Sequence, residues 1–294
     1  MNIRETRSRL RPEEFLLLRD VINQYAGLHF EEESMYAFDR RLSERLAVLE
    51  LESFDEYYKF LRLHIRGQAE LEEAVDLLTT KETYFFRQEY QLRAFKDELM
   101  PRLAKRNRTS RRLTVWSAGC STGEEAYTLA ILIHESGLFQ GWDVRVIGSD
   151  ISKQCVAAAR RGIYREGSFR ATTDAYRKDY FNSMPEGFHV IEAVKKLCHF
   201  GQLNLLDASR ASIVGRVDVI FCRNVLIYFD PRSRRRAIDN LYDRLVPGGY
   251  LLLGHSESLL NLSTAFELVH LKEDLVYRKP LTSDRLETSD RRGT

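Results

Sequence analysis

The stretch from Trp116 to Ile133, WSAGCSTGEEAYTLAILI, constrains the fold more than any other part of the chain. LTVWSAG, ending at Gly119, reads as a buried strand; it passes through a turn holding Gly119 and Gly123 into an amphipathic helix, Glu124–Ser136. The pattern then recurs. VRVIGSD is a second strand, followed by a helix over Lys153–Arg161. VDVIFCRNVLIYF is a third strand with a long exit. Asp230 as N-cap and Pro231 at the first helical position start a helix running to about Leu245, and PGGYLLLG turns into a fourth strand. Near-continuous apolar strands between helices mean an α/β domain with a mainly parallel sheet covered on both faces. AFELVHLKEDLVYRK adds antiparallel strands. Residues 176–200 break the rhythm: aromatics are frequent, and PEG separates YFNSM from FHVIEAV, which predicts a small β insertion.

Upstream the periodicity is helical only. Phe15, Leu18, Ile22 and Tyr25 form one stripe, closed by Gly27; Phe38, Leu42, Leu46 and Leu49 form a second. A third helix starts at Ser53, with Glu56 completing a capping box, and carries Phe54, Tyr57, Leu61 and Ile65. Residues 1–78 therefore read as an all-helical domain, 79–280 as the sheet domain, and 281–294 as a polar, disordered tail. MPRLAKRNRTSRRL, residues 100–113, has six basic residues and no acidic one, and reads as a solvated loop or a contact for an acidic partner.

Acidic and basic residues nearly cancel, at 43 and 45, so net charge makes no case for nucleic-acid or membrane binding. No apolar run approaches the length of a bilayer span, and the first residues lack the apolar core of a secretory signal; a cytoplasmic protein is expected. Cys120, Cys155, Cys198 and Cys222 are far apart and read as free buried thiols rather than a metal site.

The glycine turn is neither GxGxxG nor a P-loop, and it is followed at once by two carboxylates that would repel a phosphate. Glu125 reads as a complement to the helix dipole, whereas Glu124, beside the glycine, is open between that role and a ligand contact. Asp150, at the tip of the second strand, is placed to accept both hydroxyls of a ribose, or else to cap the helix near Ser152. A glycine turn, a ribose acceptor and a carboxylate in the phosphate position together point to a nucleoside with a positive tail. S-adenosylmethionine fits that description.

LTTKETYFFRQ, WSAGCSTGEEAYTLAI, GSDIS, NLLD, FCRNVLIYFD and PGGYLLLGHSES resemble, in order and spacing, the chemotaxis receptor glutamate O-methyltransferases (the CheR family). The resemblance runs from about Pro12 to Lys279 and implies a Rossmann-like S-adenosylmethionine-dependent methyltransferase domain with a small β subdomain, behind an all-α domain. It implies cofactor contacts by Thr83 and by Arg87, near the methionyl carboxylate, by Glu124 for the ammonium, Asp150 for the ribose, Asn204 and Leu205 beside the adenine, and Arg223 and Asn224 closing the pocket. Lys81 stands where the family usually has Asn, which puts its contact in doubt. Tyr228 is read as orienting the substrate carboxylate or as packing the sheet edge. His255 reads as a structural or pocket-rim residue.

The implied substrate is the cytoplasmic helical bundle of methyl-accepting chemotaxis receptors, met by Arg41 and Arg45, whose other reading is a solvated helix flank. Recruitment to membrane receptor arrays without membrane insertion, and a monomer, are expected. The short MPEGF turn argues against capture of a receptor tail by the β subdomain. Rival readings are a methyltransferase for another protein or small-molecule carboxylate, and a non-catalytic module binding S-adenosylmethionine or S-adenosylhomocysteine. Nucleic-acid methylation is disfavoured, because RNVLIY stands where an NPPY-type base-flipping loop would.

Overall fold

The computed structural model describes residues 9–281 and divides them into two units. The tail expected to be disordered lies, beyond Leu281, outside the described residues. The first unit runs to Thr80 and also takes in Tyr228–Arg234. It is built from α1 (Pro12–Ala26), α2 (Met35–Val48), α3 (Phe54–Leu63) and α4 (Gly67–Leu78). Phe15, Leu18, Ile22, Phe38, Leu42, Phe54 and Tyr57 are fully buried, as helical spacing requires of one face per helix. Phe38 meets the rings of Phe15 and Phe30 edge-on at 5.0 and 4.9 Å. Two details differ from the sequence reading. Ile65 lies beyond the end of α3 and is 95% exposed. The capping box is half made: Ser53 Oγ accepts the Glu56 N–H at 3.2 Å, but the Glu56 carboxylate takes the N–H of Glu52, not of Ser53.

Tyr228–Arg234 joins this unit through backbone pairing. The Tyr228 carbonyl accepts the His29 N–H at 2.8 Å, and the Asp230 N–H donates to the Gly27 carbonyl at 3.1 Å. Asn23 Nδ2 donates to Asp230 Oδ2 at 2.8 Å.

The second unit opens with α5 (Glu89–Arg93), a π-helical turn (Ala94–Leu99) and α6 (Met100–Arg106). Its strands and helices follow as β1 (Arg112–Ala118), α7 (Glu124–Ser136), β2 (Asp143–Asp150), α8 (Lys153–Arg161), β3 (Ile163–Tyr164), α9 (Asp174–Tyr180), β4 (Phe181–Met184), β5 (Gly187–Val190), α10 (Glu192–Lys195), β6 (Cys198–Gln202), α11 (Ala208–Ala211), β7 (Val217–Cys222), α12 (Pro231–Arg244, of which the part from Arg235 on belongs to this unit), β8 (Leu245–Leu253), β9 (Glu267–His270) and β10 (Leu275–Arg278). Seven strands form one sheet in the order β6-β2-β1-β7-β8-β10-β9. The first five run parallel, and β10 pairs antiparallel with both β8 and β9, so it alone runs against the rest. The chain leaves β1 towards β2 on one side and returns as β7 on the other, which makes the carboxyl ends of β1 and β7 the switch point where such sheets hold ligands. Trp116, Val115, Ile131, Phe221 and Leu252 have no exposed surface, and burial contributes about 1.5–3 kcal/mol for each large apolar side chain. The Trp116 indole N–H is satisfied by Ser149 Oγ at 2.8 Å.

The β insertion is placed differently from the expected 176–200. A three-stranded antiparallel sheet, β3-β5-β4, draws on Ile163–Tyr164, Phe181–Met184 and Gly187–Val190, with FHVIEAV breaking into helix at Glu192. Residues 198–202 leave it and become the edge strand of the large sheet, paired to β2. The aromatics pack as a cluster: Phe85 lies 4.8 Å from Tyr164 and from Phe181, and 5.2 Å from Phe169. The basic run is not wholly a loop either. Its first half is α6, because Met100 and Leu103 are buried one turn apart while the basic side chains point outward. Among the described residues no helix is long and apolar enough to cross a membrane. All four cysteines are free thiols.

Candidate cofactor site

The carboxyl ends of the parallel strands bring the expected motifs together within the sheet unit. After β1 the chain turns sharply, and the N–H groups of Gly119 and Cys120 both donate to the Ser149 carbonyl on β2, at 2.8 and 2.9 Å. Gly119 has φ +80°, and a Cβ there would stand 2.4 Å from Val225 Cγ2. The turns after β1 and β7 therefore touch, and only glycine permits that approach. Gly123, at φ +98°, has the same requirement: a Cβ would meet Ala159 Cβ at 2.8 Å and the Tyr164 hydroxyl at 3.0 Å.

Asp150 is fixed by two loops at once. Its Oδ2 accepts the Ser121 N–H at 2.8 Å and its Oδ1 the Ser152 N–H at 2.9 Å. Ser152, in turn, caps α8 by accepting the Cys155 N–H at 3.0 Å. Asp150 thus braces the glycine turn and the start of α8, in the position a ribose acceptor occupies in such folds. Beyond β6, Asn204 Oδ1 accepts the Leu206 N–H at 3.0 Å, and the Leu205 carbonyl accepts Asn240 Nδ2 at 2.8 Å. The Leu203 N–H donates to the Asp150 carbonyl at 2.9 Å, which places the 203–205 segment beside the end of β2.

The two glutamates divide their roles otherwise than the sequence suggested. Glu124 is buried, and its carboxylate is engaged by Thr122 Oγ1 at 2.6 Å and Ser168 Oγ at 3.0 Å. Burial pushes its carboxyl above the ordinary range, and those two hydroxyls pull the other way. Glu125, read as a dipole complement, accepts the Ser117 hydroxyl at 2.7 Å and pairs with Arg223 Nη1 at 3.3 Å. Burial raises this carboxyl too, against the pull of Arg223. Arg223 is itself buried, which draws its guanidinium below the usual value.

Arg223 also donates to Gln88 Oε1, at 2.8 Å from Nη2, and to the Arg87 carbonyl. Phe86 and Gln88, on either side of Arg87, hold positive φ angles of 59° and 57°. Non-glycine residues in that region mark backbone held against its preference by its surroundings. Arg87 lies near enough to lower the Glu125 carboxyl, and its Nη1 donates to the Glu82 carbonyl at 3.0 Å. The Lys81 carbonyl accepts the Ser121 hydroxyl at 3.4 Å, and Thr83 is half-buried in the same segment. Asn224 follows Arg223 at φ +59°.

Three expected site residues are placed in the helical unit. Tyr228 is 38% exposed there, with its backbone paired to His29. Arg41 and Arg45 are not solvated flanks. Arg41 Nη1 caps α4 by donating to the carbonyls of Leu77 and Leu78, at 2.9 and 3.1 Å. Arg45 is bidentate to Glu70, at 2.8 and 2.6 Å, and Glu70 also accepts the Tyr57 hydroxyl at 2.8 Å. Both guanidinium groups serve helix packing.

Sequence reasoning missed Ser117 and Gln88 as partners of the charged pair. It also assigned nothing to Glu257, whose carboxylate reaches the Asn224 backbone from 33 residues away. A cavity of about 570 Å³ opens at the opposite, amino-terminal edge of the sheet, among Arg106, Arg145, Arg216, Asp143 and Asp218. Arg106 pairs there with Asp218 and Arg145 with Asp143, while Arg216 donates to the carbonyls of Asp243 and Leu245.

The family model described as "CheR methyltransferase, all-alpha domain" matches residues 13–79, and "CheR methyltransferase, SAM binding domain" matches residues 81–275. The chain is 35% identical over 269 residues to chemotaxis protein methyltransferase 2 of Vibrio cholerae, covering 91% of this chain and 93% of that protein. Against a chemotaxis protein methyltransferase of Borreliella burgdorferi the identity is 34%, over 83% of this chain and 87% of the relative. With chemotaxis protein methyltransferase 1 of Pseudomonas aeruginosa it is 33%, over 90% and 97%.

Proposed function

The chain belongs to the CheR methyltransferase family, with S-adenosylmethionine as its cofactor, and from that premise we propose that it methylates glutamate side chains of chemotaxis receptors to give glutamyl methyl esters. The observation that carries this reading is the meeting, at the switch point of the sheet, of a glycine turn, the braced Asp150 and a buried pair of opposite charges, Glu125 and Arg223. A methionyl tail presents an ammonium and a carboxylate, and this pair offers both complements. We assign the ammonium to Glu125 and the carboxylate to Arg223 with Arg87. Glu124 instead supports the turn through Thr122 and Ser168. Asp150 takes the ribose, and Asn204 and Leu205 flank the adenine.

When bound, the cofactor supplies a methyl group on a positively charged sulfur. Asp150, Glu125, Arg223 and Arg87 would hold the cofactor as it gives up that methyl group to esterify the receptor carboxylate, leaving neutral S-adenosylhomocysteine. A glutamate with an ordinary pKa of about 4.3 is already ionised at neutral pH, so no residue has to remove a proton. Opposite charges cancel along the way, so a drier site favours the reaction, and holding the reactants in line is worth on the order of 7–11 kcal/mol at best. The protein's part is to hold, align and exclude water. Tyr228 is retained as the candidate for orienting the substrate carboxylate.

The reading is tested by mixing the purified protein with methyl-labelled S-adenosylmethionine and membranes bearing the cognate receptors. Label on a receptor-sized band, released as methanol by mild base, supports it. Base-stable label would mean methylation at nitrogen and would rule out the ester.

A further inference from the structure

The turn after β7 is held by a single carboxylate from a distant part of the chain. Glu257 Oε2 accepts the N–H of Asn224 at 2.7 Å and the N–H of Gly254 at 2.7 Å. Its Oε1 accepts the N–H of Val225 at 3.0 Å and the N–H of Ile227 at 3.2 Å. Four backbone donors converge on two oxygens. Hydrogen bonds to an ionised acceptor are the stronger kind, so this is a stiff clamp.

Its neighbours leave little slack. A Cβ at Gly254 would fall 2.6 Å from Glu257 Oε2 and 2.8 Å from the Asn224 nitrogen, so the carboxylate and the turn fill the space above that glycine. On the other side Val225 presses on Gly119. Asn224 sits between these contacts at φ +59°, a left-handed conformation that few non-glycine residues adopt and that Asn tolerates best. Something has to hold it there, and the Glu257 carboxylate is bonded to that residue's own N–H.

We propose that Glu257 is a positioning residue for methyl transfer: by gathering the N–H groups of Asn224, Val225 and Ile227 it sets the backbone that aims Arg223 and Asn224 at the cofactor. This rests on the cofactor reading given above. Glu257 touches neither reactant and acts through the turn.

The test compares wild type with Glu257→Gln, which keeps the size but turns one acceptor oxygen into a donor facing N–H groups. S-adenosylhomocysteine binding by calorimetry is expected to weaken about tenfold and kcat/KM to fall about 100-fold, the scale of a 1 Å misplacement. Amide exchange at residues 224, 225 and 227 in the ligand-free protein is expected to speed up. Adding Asn224→Ala to the Gln variant should then cost less than it costs wild type, since the two residues act as one unit. Losses that simply add, or unchanged binding and exchange, overturn the inference. Should the Gln variant fail to fold, Glu257→Asp keeps the charge with a shorter reach, and the same losses are expected of it. A wild type that does not bind S-adenosylhomocysteine removes the cofactor reading and this inference with it; a wild type that binds, with a variant that binds equally well, removes this inference alone.

Discussion

Each unit sets an arginine against a glutamate, and the two pairs are made differently. Arg45 meets Glu70 through two short bonds, with Tyr57 supplying a third to the same carboxylate. Burial and the adjoining Glu70 push the Tyr57 phenol well above its ordinary range, which keeps it a donor at all working pH values. Arg223 meets Glu125 at 3.3 Å and spreads its other donors over Gln88 and a backbone carbonyl. The first pair is satisfied by its own unit. The second is also met within its own unit, but at 3.3 Å and with the arginine's donors shared among three partners, at the carboxyl ends of the parallel strands. The contrast teaches that ion pairing alone does not separate scaffold from site. What separates them is whether the geometry is already closed.

The largest effect should come from opening the closed pair. Glu70→Ala strands Arg45 and the Tyr57 hydroxyl and is expected to cost about 3–5 kcal/mol, the range for removing one partner of a buried pair. Urea unfolding of the full chain followed by circular dichroism measures it, and saturating S-adenosylmethionine should stabilise variant and wild type equally, leaving the difference between them. A loss under about 1 kcal/mol would put Arg45–Glu70 in the class of surface pairs and dissolve the comparison.

Arg223→Lys should do the reverse. A point charge cannot span Glu125, Gln88 and the Arg87 carbonyl as the fork does. We expect S-adenosylhomocysteine to bind about 10- to 100-fold more weakly, or about 1.4–2.7 kcal/mol, while the ligand-free melting point moves less than in Glu70→Ala. In wild type, ligand at 100 times its dissociation constant should add about 2.7 kcal/mol of stability, and the variant should keep only about 0.4–1.4 kcal/mol of that gain at the same concentration. Unchanged binding would move Arg223 to the scaffold side.

Caps give a finer gauge of the helical unit. Ser53→Ala removes the acceptor for the Glu56 N–H and should cost about 1 kcal/mol, read by the same unfolding curves. Little or no loss would mean that the Glu56–Glu52 contact carries that helix start by itself.

The smallest effect concerns acid. Partial burial pushes the Asp230 carboxyl up, but donors from Ser233, Asn23 and Arg232 outweigh it and bring it down from 3.8 to about 2. A carboxyl depressed in the folded state stabilises it above the unfolded value. That contribution is present above about pH 4 and is lost as the pH falls towards 2. Asp230→Asn should therefore flatten the acid limb of the stability curve between those values. An unchanged limb would show that Asp230 is not depressed.

Much of this could be read from the chain, and the misses share a cause. β1, β7 and β8 announce themselves because most residues on both their faces are buried, and β2 because its apolar run continues through Val146 and Ile147. β6, CHFGQ, is an edge strand with half-exposed residues and so lacks the apolar run that marks the others. α6 hid inside a basic run because only Met100 and Leu103 are buried. Asp150 and the glycine turn were legible since the chemistry there is local. Glu125 was not, because its partner Arg223 arrives from another strand and nothing near Glu125 in sequence predicts burial. Glu257 lay in a quoted motif, but its role depends on a turn 33 residues away. Asn two residues past a buried strand, with Gly254 and a carboxylate three residues beyond it, is the pattern that could have signalled the clamp.

The Tyr164 hydroxyl donates to the Thr122 carbonyl at 2.7 Å, joining the small antiparallel sheet to the glycine turn. The same phenol is part of what forbids any side chain at Gly123. Residues at this end of the small sheet are therefore poor places for inserted sequence or a reporter. The far end is different. Met184, Pro185 and Glu186, at the tip between β4 and β5, are exposed, and such tips accept added chain at little cost. A fluorophore or affinity handle intended to leave the methyl-transfer machinery undisturbed belongs there.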